Sequence, residues 1–242
     1  MMVDYGLTVI NDSGSTVISS KRKVLVFSER GSFLITSQFT NRPGLGVYNF
    51  LKPVKTLAPP QIFLRTVSAN NSSITLYIVT TTGSPGNWTG VGFMSAAGGV
   101  DLQRHNMEIV VCKYSDELPK SGYGMIIRDD KGQMLFSSDD RVVRYSRFSK
   151  VWTKIAGATV DAYQADVTPS EEEFICLTQM DRGVNWFTRQ ANYATLQIRR
   201  NNAPVMRLQV DYQPFGNYYQ GTNGTCFSIP ICKFPIDRYY NE

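Results

Sequence analysis

Apolar and polar residues alternate with a period of two along much of the chain. Met206, Leu208, Val210 and Tyr212 interleave with Arg207, Gln209 and Asp211, which sets one face inward and one outward. Comparable strands are expected over residues 32–40, 61–68, 73–80 and 107–114, and again over 159–167, 173–178, 193–199 and 206–212. No segment shows a helical apolar period over three turns. Many short strands separated by Gly, Asn, Asp and Pro read as an all-β chain built of sandwiches.

The pattern repeats. Residues 5–27, YGLTVINDSGSTVISSKRKVLVF, align without a gap on residues 123–145, YGMIIRDDKGQMLFSSDDRVVRY, at an offset of 118. Identical pairs are Tyr5/Tyr123, Gly6/Gly124, Asp12/Asp130, Gly14/Gly132, Ser19/Ser137, Ser20/Ser138 and Val24/Val142. The segment Ile109-Val110-Val111-Cys112-Lys113-Tyr114 matches Ile229-Pro230-Ile231-Cys232-Lys233-Phe234 at an offset of 120. An opening motif and a closing motif that recur at nearly one spacing imply internal duplication. Each opening motif reads as a β-hairpin. A short apolar strand runs into Asn/Asp-Asp-x-Gly, a type I turn with glycine at its positive-φ end, and a second strand returns. Gly6 and Gly124 are expected at a close backbone approach or a bulge. The expected organisation is two tandem related β-sandwich domains, residues 1–118 and 119–242, with a polar linker over 115–121.

Composition narrows the class. The chain of 242 residues has 13 Tyr, 13 Phe and 19 Gly, a mix that suits strands and tight turns. Its formal net charge of +5 is mild for this length: it permits weak attraction to anionic surfaces but does not by itself indicate nucleic-acid binding, and nucleic acid is not the expected partner. The start, Met1-Met2-Val3-Asp4, lacks the basic and apolar regions of a signal peptide. No apolar stretch reaches membrane-span length, so no membrane insertion is expected. Cys112, Cys176, Cys226 and Cys232 include no Cys-x-x-Cys pair, and His105 is the one histidine. These four are expected to be buried thiols, with a disulfide as the alternative if the mature protein leaves the cell. No metal or cofactor is expected.

Candidate chemistry is sparse. Any Ser-His or Cys-His catalytic pair must use His105, which lies in the polar segment Asp101-Leu102-Gln103-Arg104-His105-Asn106 and is expected at the surface. Asp129-Asp130, Asp139-Asp140 and Glu171-Glu172-Glu173 read as solvated turn acids, although a polysaccharide hydrolase would need two such carboxylates across a cleft. Arg141, Arg144, Arg147, Lys150 and Lys154 interleave with Tyr145, Phe148 and Trp152. That stretch suits an outward strand face, a subunit interface or an anionic ligand site. Lys21 and Arg22 stand where the second repeat has Asp139 and Asp140, and opposite charge at equivalent positions favours head-to-tail contact between unlike halves. The candidate interface residues are therefore Lys21, Arg22, Asp139, Asp140, Arg144, Arg147 and Trp152. The aromatic loops at Trp88 and at Tyr218-Tyr219 are candidate contacts for a sugar or a protein. No phosphate loop, dinucleotide fingerprint or nucleophile elbow is present. The chain reads as a binding or structural module and not as an enzyme.

The opening Tyr5-Gly6-Leu7-x-Val9-x-Asn11-x-x-Gly14, followed by Ser19-Ser20, a basic residue and Val24, resembles the start of a family of small bacteriophage tail proteins. The copy at 123–145 resembles it again. The likeness covers about 46 residues, 23 in each copy. Two copies in one chain depart from the single-domain form of that family. The resemblance implies a structural protein of the virion, at or near the tail tip and assembled in the host bacterial cytoplasm. It further implies other tail proteins as partners, a homo-oligomer or ring around the tail axis, and no catalytic residues. A glycan-binding adhesin that contacts a host-surface glycan is the alternative.

Overall fold

The computed structural model describes residues 8–10, 16–19, 23–40, 42–69, 73–95, 102–120, 123–154, 156, 162–177, 183–187, 190–199, 206–211 and 228–242. Among them the chain is all β. The first half contributes β1 (Thr8–Ile10), β2 (Thr16–Ser19), β3 (Leu25–Thr36), β4 (Leu45–Val54), β5 (Gln61–Ala69), β6 (Ser73–Ser84), β7 (Asn87–Ser95) and β8 (Arg104–Tyr114). The second contributes β9 (Ile126–Arg128), β10 (Met134–Ser137), β11 (Tyr145–Ser149), β12 (Trp152–Lys154), β13 (Ala162–Ala165) and β14 (Glu173–Cys176). It ends with β15 (Gly183–Phe187), β16 (Gln190–Arg199), β17 (Met206–Asp211) and β18 (Ile229–Lys233).

All the eight expected segments hold strands, with shifted ends. The strand β7 was not expected: the aromatic loop placed at Trp88 is a turn at Pro85-Gly86, and Trp88 already lies inside β7. The strand β4 also escaped the pattern, because Leu45, Val47 and Leu51 point outward and blur its alternation.

Two antiparallel layers face each other. One has the order β11-β18-β14-β5-β8-β3, the other β4-β7-β6-β16-β17-β13-β12, with β15 beside β16. They join at a corner where β3 touches β4 through the single pair Thr36↔Leu45. The chain also passes between them from β11 to β12. The main core lies between the layers: Ile62, Leu64, Ile109, Val111, Ile175 and Ile231 from the first meet Tyr48, Phe50, Leu76, Val91 and Phe93 from the second.

The first layer is buried on its other face as well. Phe63, Val110, Cys112, Phe174, Cys176 and Cys232 pack there with Phe27, Val143, Phe234 and Tyr239. Its edge strands approach each other at their starts, through Val26↔Val142, Val143 N–H to Leu25 O and Phe27 N–H to Arg141 O at 2.9 Å each. Double-sided burial explains why Ile109–Cys112, Ile62–Leu64 and Phe174–Leu177 are unbroken apolar runs. Burying each such side chain contributes about 1.5–3 kcal/mol.

The two halves do not close separate sheets. β14 pairs with β5 and β16 with β6, so residues 1–118 and 119–242 share both layers and the main core. Equivalent pairings keep the same register. Thr8↔Ser19, Val9↔Ile18 and Ile10↔Thr16 in one hairpin correspond to Ile126↔Ser137, Ile127↔Phe136 and Arg128↔Met134 in the other, both with an irregularity at the last step. Phe27↔Cys112 and Glu29↔Val111 correspond to Tyr145↔Cys232 and Arg147↔Ile231, with a bulge at the same place. Thr36↔Leu45 corresponds to Lys154↔Tyr163. The first layer reads alike from both ends, and in the second β4-β7-β6 mirrors β13-β17-β16 with β12 beyond, the arrangement that a twofold axis between β5 and β14 and between β6 and β16 generates.

Candidate functional site

A cleft of about 440 Å³ opens where the linker leaves the first half. Its walls are the start of β3, the bend in β4, the end of β8 with the linker, residues 139–141 and the chain end. Glu29 is its floor. The bulge in β3 turns this carboxylate toward β4, where the chain bends at residues 50–53. It accepts the Tyr48 hydroxyl at 3.0 Å and the Leu51 N–H at 2.9 and 3.1 Å, and it is only 4% exposed. Burial, then the charge and hydrogen bond of Glu29, push the Tyr48 phenol well above its ordinary value.

Lys113 leaves β8 at the cleft and meets Asp116 at 2.7 Å and Glu117. Burial works against its ammonium charge, but the two carboxylates outweigh burial and hold its pKa up. The Lys113 hydrogen bond holds Glu117 below the usual carboxylate range, with help from Lys120 and Lys52.

Asp139 and Asp140 both line this cleft. Asp139 accepts the Lys120 N–H at 2.9 Å. Asp140 accepts the Ser115 hydroxyl at 2.5 Å and the Ser137 N–H at 2.6 Å. Burial raises the Asp140 pKa, and those two hydrogen bonds only partly offset it. Arg141 lies over the rings of Phe27 and Tyr240 at 4.6 and 4.8 Å and donates to the Tyr240 carbonyl. Lys120 pairs with Glu242. Arg30 binds the carbonyls of Phe234 and Tyr239 at 3.2 and 3.1 Å, and Asn241 bonds the Arg30 backbone in both directions. The cleft is therefore where the linker, the second hairpin and the chain end are fastened to the first half. Glu29 and Arg30 as contributors had no sequence signal beyond charge inside an apolar strand.

His105 corrects an expectation. It was read as a surface residue, but β8 starts at Arg104 and alternates at once: Arg104 and Asn106 point out, His105 and Met107 in. His105 is 0% exposed, and neither ring nitrogen has a hydrogen-bond partner among the described residues. Burial lowers its pKa. It is not paired with a serine or cysteine nucleophile there.

The other candidates scatter. Arg144 is exposed. Arg147 binds Glu173 at 2.5 Å and the Thr168 carbonyl at 2.7 Å. Trp152 is half-buried against the main core. The stretch from Arg141 to Trp152 is thus not one surface. Trp88 follows a two-residue turn, Pro85-Gly86, and donates its indole N–H to the Thr56 carbonyl at 3.0 Å. Lys21, Arg22, Tyr218, Tyr219 and Cys226 lie outside the described residues. Cys112, Cys176 and Cys232 are buried thiols. Burial pushes Cys232 up to about 12, despite the Ser146 hydrogen bond. Among the described residues no group of three His, Cys, Asp or Glu could hold a metal ion, and no helix is long and apolar enough to cross a membrane.

No family model, no curated protein and no solved structure matches this chain.

Proposed function

We propose that the chain is a non-catalytic structural component of a bacteriophage tail, at or near its tip, with a role in tail assembly or host attachment. The observation that carries this reading is the Tyr-Gly hairpin motif, which resembles a tail-protein family and occurs twice in one pairing register. A layer packed on both faces suits a body that bears load. The halves pair with each other antiparallel about a twofold, so a ring in this reading is built of whole chains.

The test is to purify particles, find the chain by mass spectrometry and place it with gold-labelled antibody. Label at the tail end supports the reading. Absence from washed particles overturns the structural role. Host-polysaccharide hydrolysis that disappears in Asp140→Asn would overturn the non-catalytic part.

A further inference from the structure

His105 is the only histidine of the chain, and its ring is fully buried. Neither ring nitrogen has a hydrogen-bond partner among the described residues. Buried polar groups are nearly always paired, so an unpaired one costs stability and calls for a physical reason. Its place in the fold supplies one. His105 pairs with Ile35 of β3 and with Ala69 of β5, and Arg104 beside it pairs with Thr36. Thr36 is the residue through which β3 touches β4, where the two layers join.

A polar knot closes the same corner. The Ser95 hydroxyl donates to Gln103 Oε1 at 2.6 Å and accepts the Gly44 N–H at 2.9 Å. Gln103 donates its side-chain amide to the Arg42 carbonyl at 2.9 Å and its N–H to the Ser37 hydroxyl at 2.8 Å. None of these bonds uses the imidazole. The corner is tight: a Cβ on Gly44 would stand 2.9 Å from Ser95 Oγ and 3.0 Å from Ile35 Cγ2. No charge there balances the ring. Arg104 and Glu108 leave β8 on its other face, where Glu108 pairs with Arg30 of β3 and Arg65 of β5. Arg42 is exposed and shows Gln103 only its carbonyl. Glu29 and Tyr48 bond each other farther along, where Glu29 pairs with Val111. β7 carries no ionisable side chain.

We propose that this corner is an acid-operated latch, in which a proton on His105 releases β4 from β3 while each layer keeps its own ladders. In the closed corner the ring is neutral, because an imidazolium among Ile35, Ala69 and Met107 would have neither counter-charge nor acceptor. Opening lets water reach the ring, which then takes a proton from solvent. The charged ring cannot return without giving up that proton or its water. Opening therefore grows as pH falls, the direction that burial of a base dictates. The corner yields first because one ladder pair and the knot hold it, whereas β8 is laddered along its length to β3 and β5. Release uncovers Ile35 and the stacked rings of Phe33 and Phe93, which meet between the layers at 4.6 Å. The latch does not depend on where the chain works.

Amide exchange of the full chain, corrected for the intrinsic effect of pH, tests it. Between pH 7.5 and pH 5.5 exchange over residues 35–37 and 103–105 is expected to rise about tenfold, the gain in protonation of a freed imidazole over that range. Residues 109–112 are expected to stay protected at both values. In His105→Leu the rise at the corner is expected to vanish. A corner whose exchange ignores pH overturns the proposal, as does an equal rise in His105→Leu or a rise spread evenly over 109–112. A second measurement needs no variant. As the only histidine, His105 gives one imidazole signal in an NMR titration, and it is expected to titrate below the ordinary value of about 6.5. A ring that titrates at the ordinary value while residues 35–37 stay protected overturns the proposal as well.

Discussion

Glu29 and Arg147 occupy equivalent places at the same bulge, one in each half, and carry opposite charge. Glu29 is buried and holds Tyr48 and the bend of β4. Arg147 is partly exposed and reaches Glu173, which also accepts the Ser170 N–H at 2.7 Å. Burial opposes the Glu173 charge, yet those hydrogen bonds and Arg147 keep its pKa below the usual range. The bulge is the same because core side chains on either side fix the register. The residue that each bulge skips in the register is a serine, Ser28 or Ser146, and the paired residue after it differs. One copy uses Glu29 to build the cleft, the other uses Arg147 to tie down the segment before β14.

The strongest challenge to treating the halves as one body is Phe63→Ala. Phe63 is fully buried, pairs with Cys176 across the junction of the halves and meets the Phe234 ring at 5.1 Å. The loss should be about 3–5 kcal/mol. Urea unfolding followed by fluorescence and by circular dichroism should stay a single transition, shifted to lower urea. Two separated transitions would show that each half folds alone.

The bulge comparison itself predicts unequal costs. Glu29→Ala leaves the Tyr48 hydroxyl and the Leu51 N–H without their acceptor and should cost about 1–3 kcal/mol. Arg147→Ala removes a partly exposed cation, while buried Glu173 keeps the Ser170 N–H, and should cost less, about 1 kcal/mol. Equal midpoint shifts would mean that the two bulges are energetically alike.

His105 sharpens the contrast between the core end of β8 and its surface. Its folded pKa lies below its unfolded value because burial disfavours the imidazolium. Its contribution is present above the unfolded value of about 6.5 and is lost as pH falls toward the folded value, where the unfolded chain takes the proton first. Urea midpoints should therefore fall between pH 7.5 and pH 5.5 more steeply in the parent than in His105→Leu. Parallel profiles would remove the histidine from the account. Smallest of all, Tyr123→Glu should leave stability within about 0.5 kcal/mol, since 89% of the residue's surface faces solvent.

Much of the hairpin chemistry was legible. Asn/Asp-Asp-x-Gly announced a turn closed by Gly132, and the Asp129 side chain does bond the turn backbone. Strands with plain alternation, such as β17, were equally readable. β4 was not, because outward Leu45, Val47 and Leu51 carry the same hydrophobic mark as inward Tyr48 and Phe50. His105 was misread because a polar segment before a strand looks the same whether the strand begins at residue 104 or at 107. The cleft was half visible: Asp139 and Asp140 stood out as a pair, but their partners Ser115 and Lys120 did not.

Local order in this protein follows from neighbours along the chain. Turn residues, the period of two and the double-sided apolar runs determine that it is all β and where its hairpins bend. Which strands meet is a matter of long-range burial. The runs Ile62–Leu64 and Phe174–Leu177 are apolar on both faces, so each could have closed a sheet within its own half. Instead they meet each other, and Leu177 N–H reaches Ile62 O at 2.9 Å. Only the tertiary structure decided this, because a strand's two edges bear the same backbone donors and acceptors, and nothing in a side-chain pattern says which neighbour will take them.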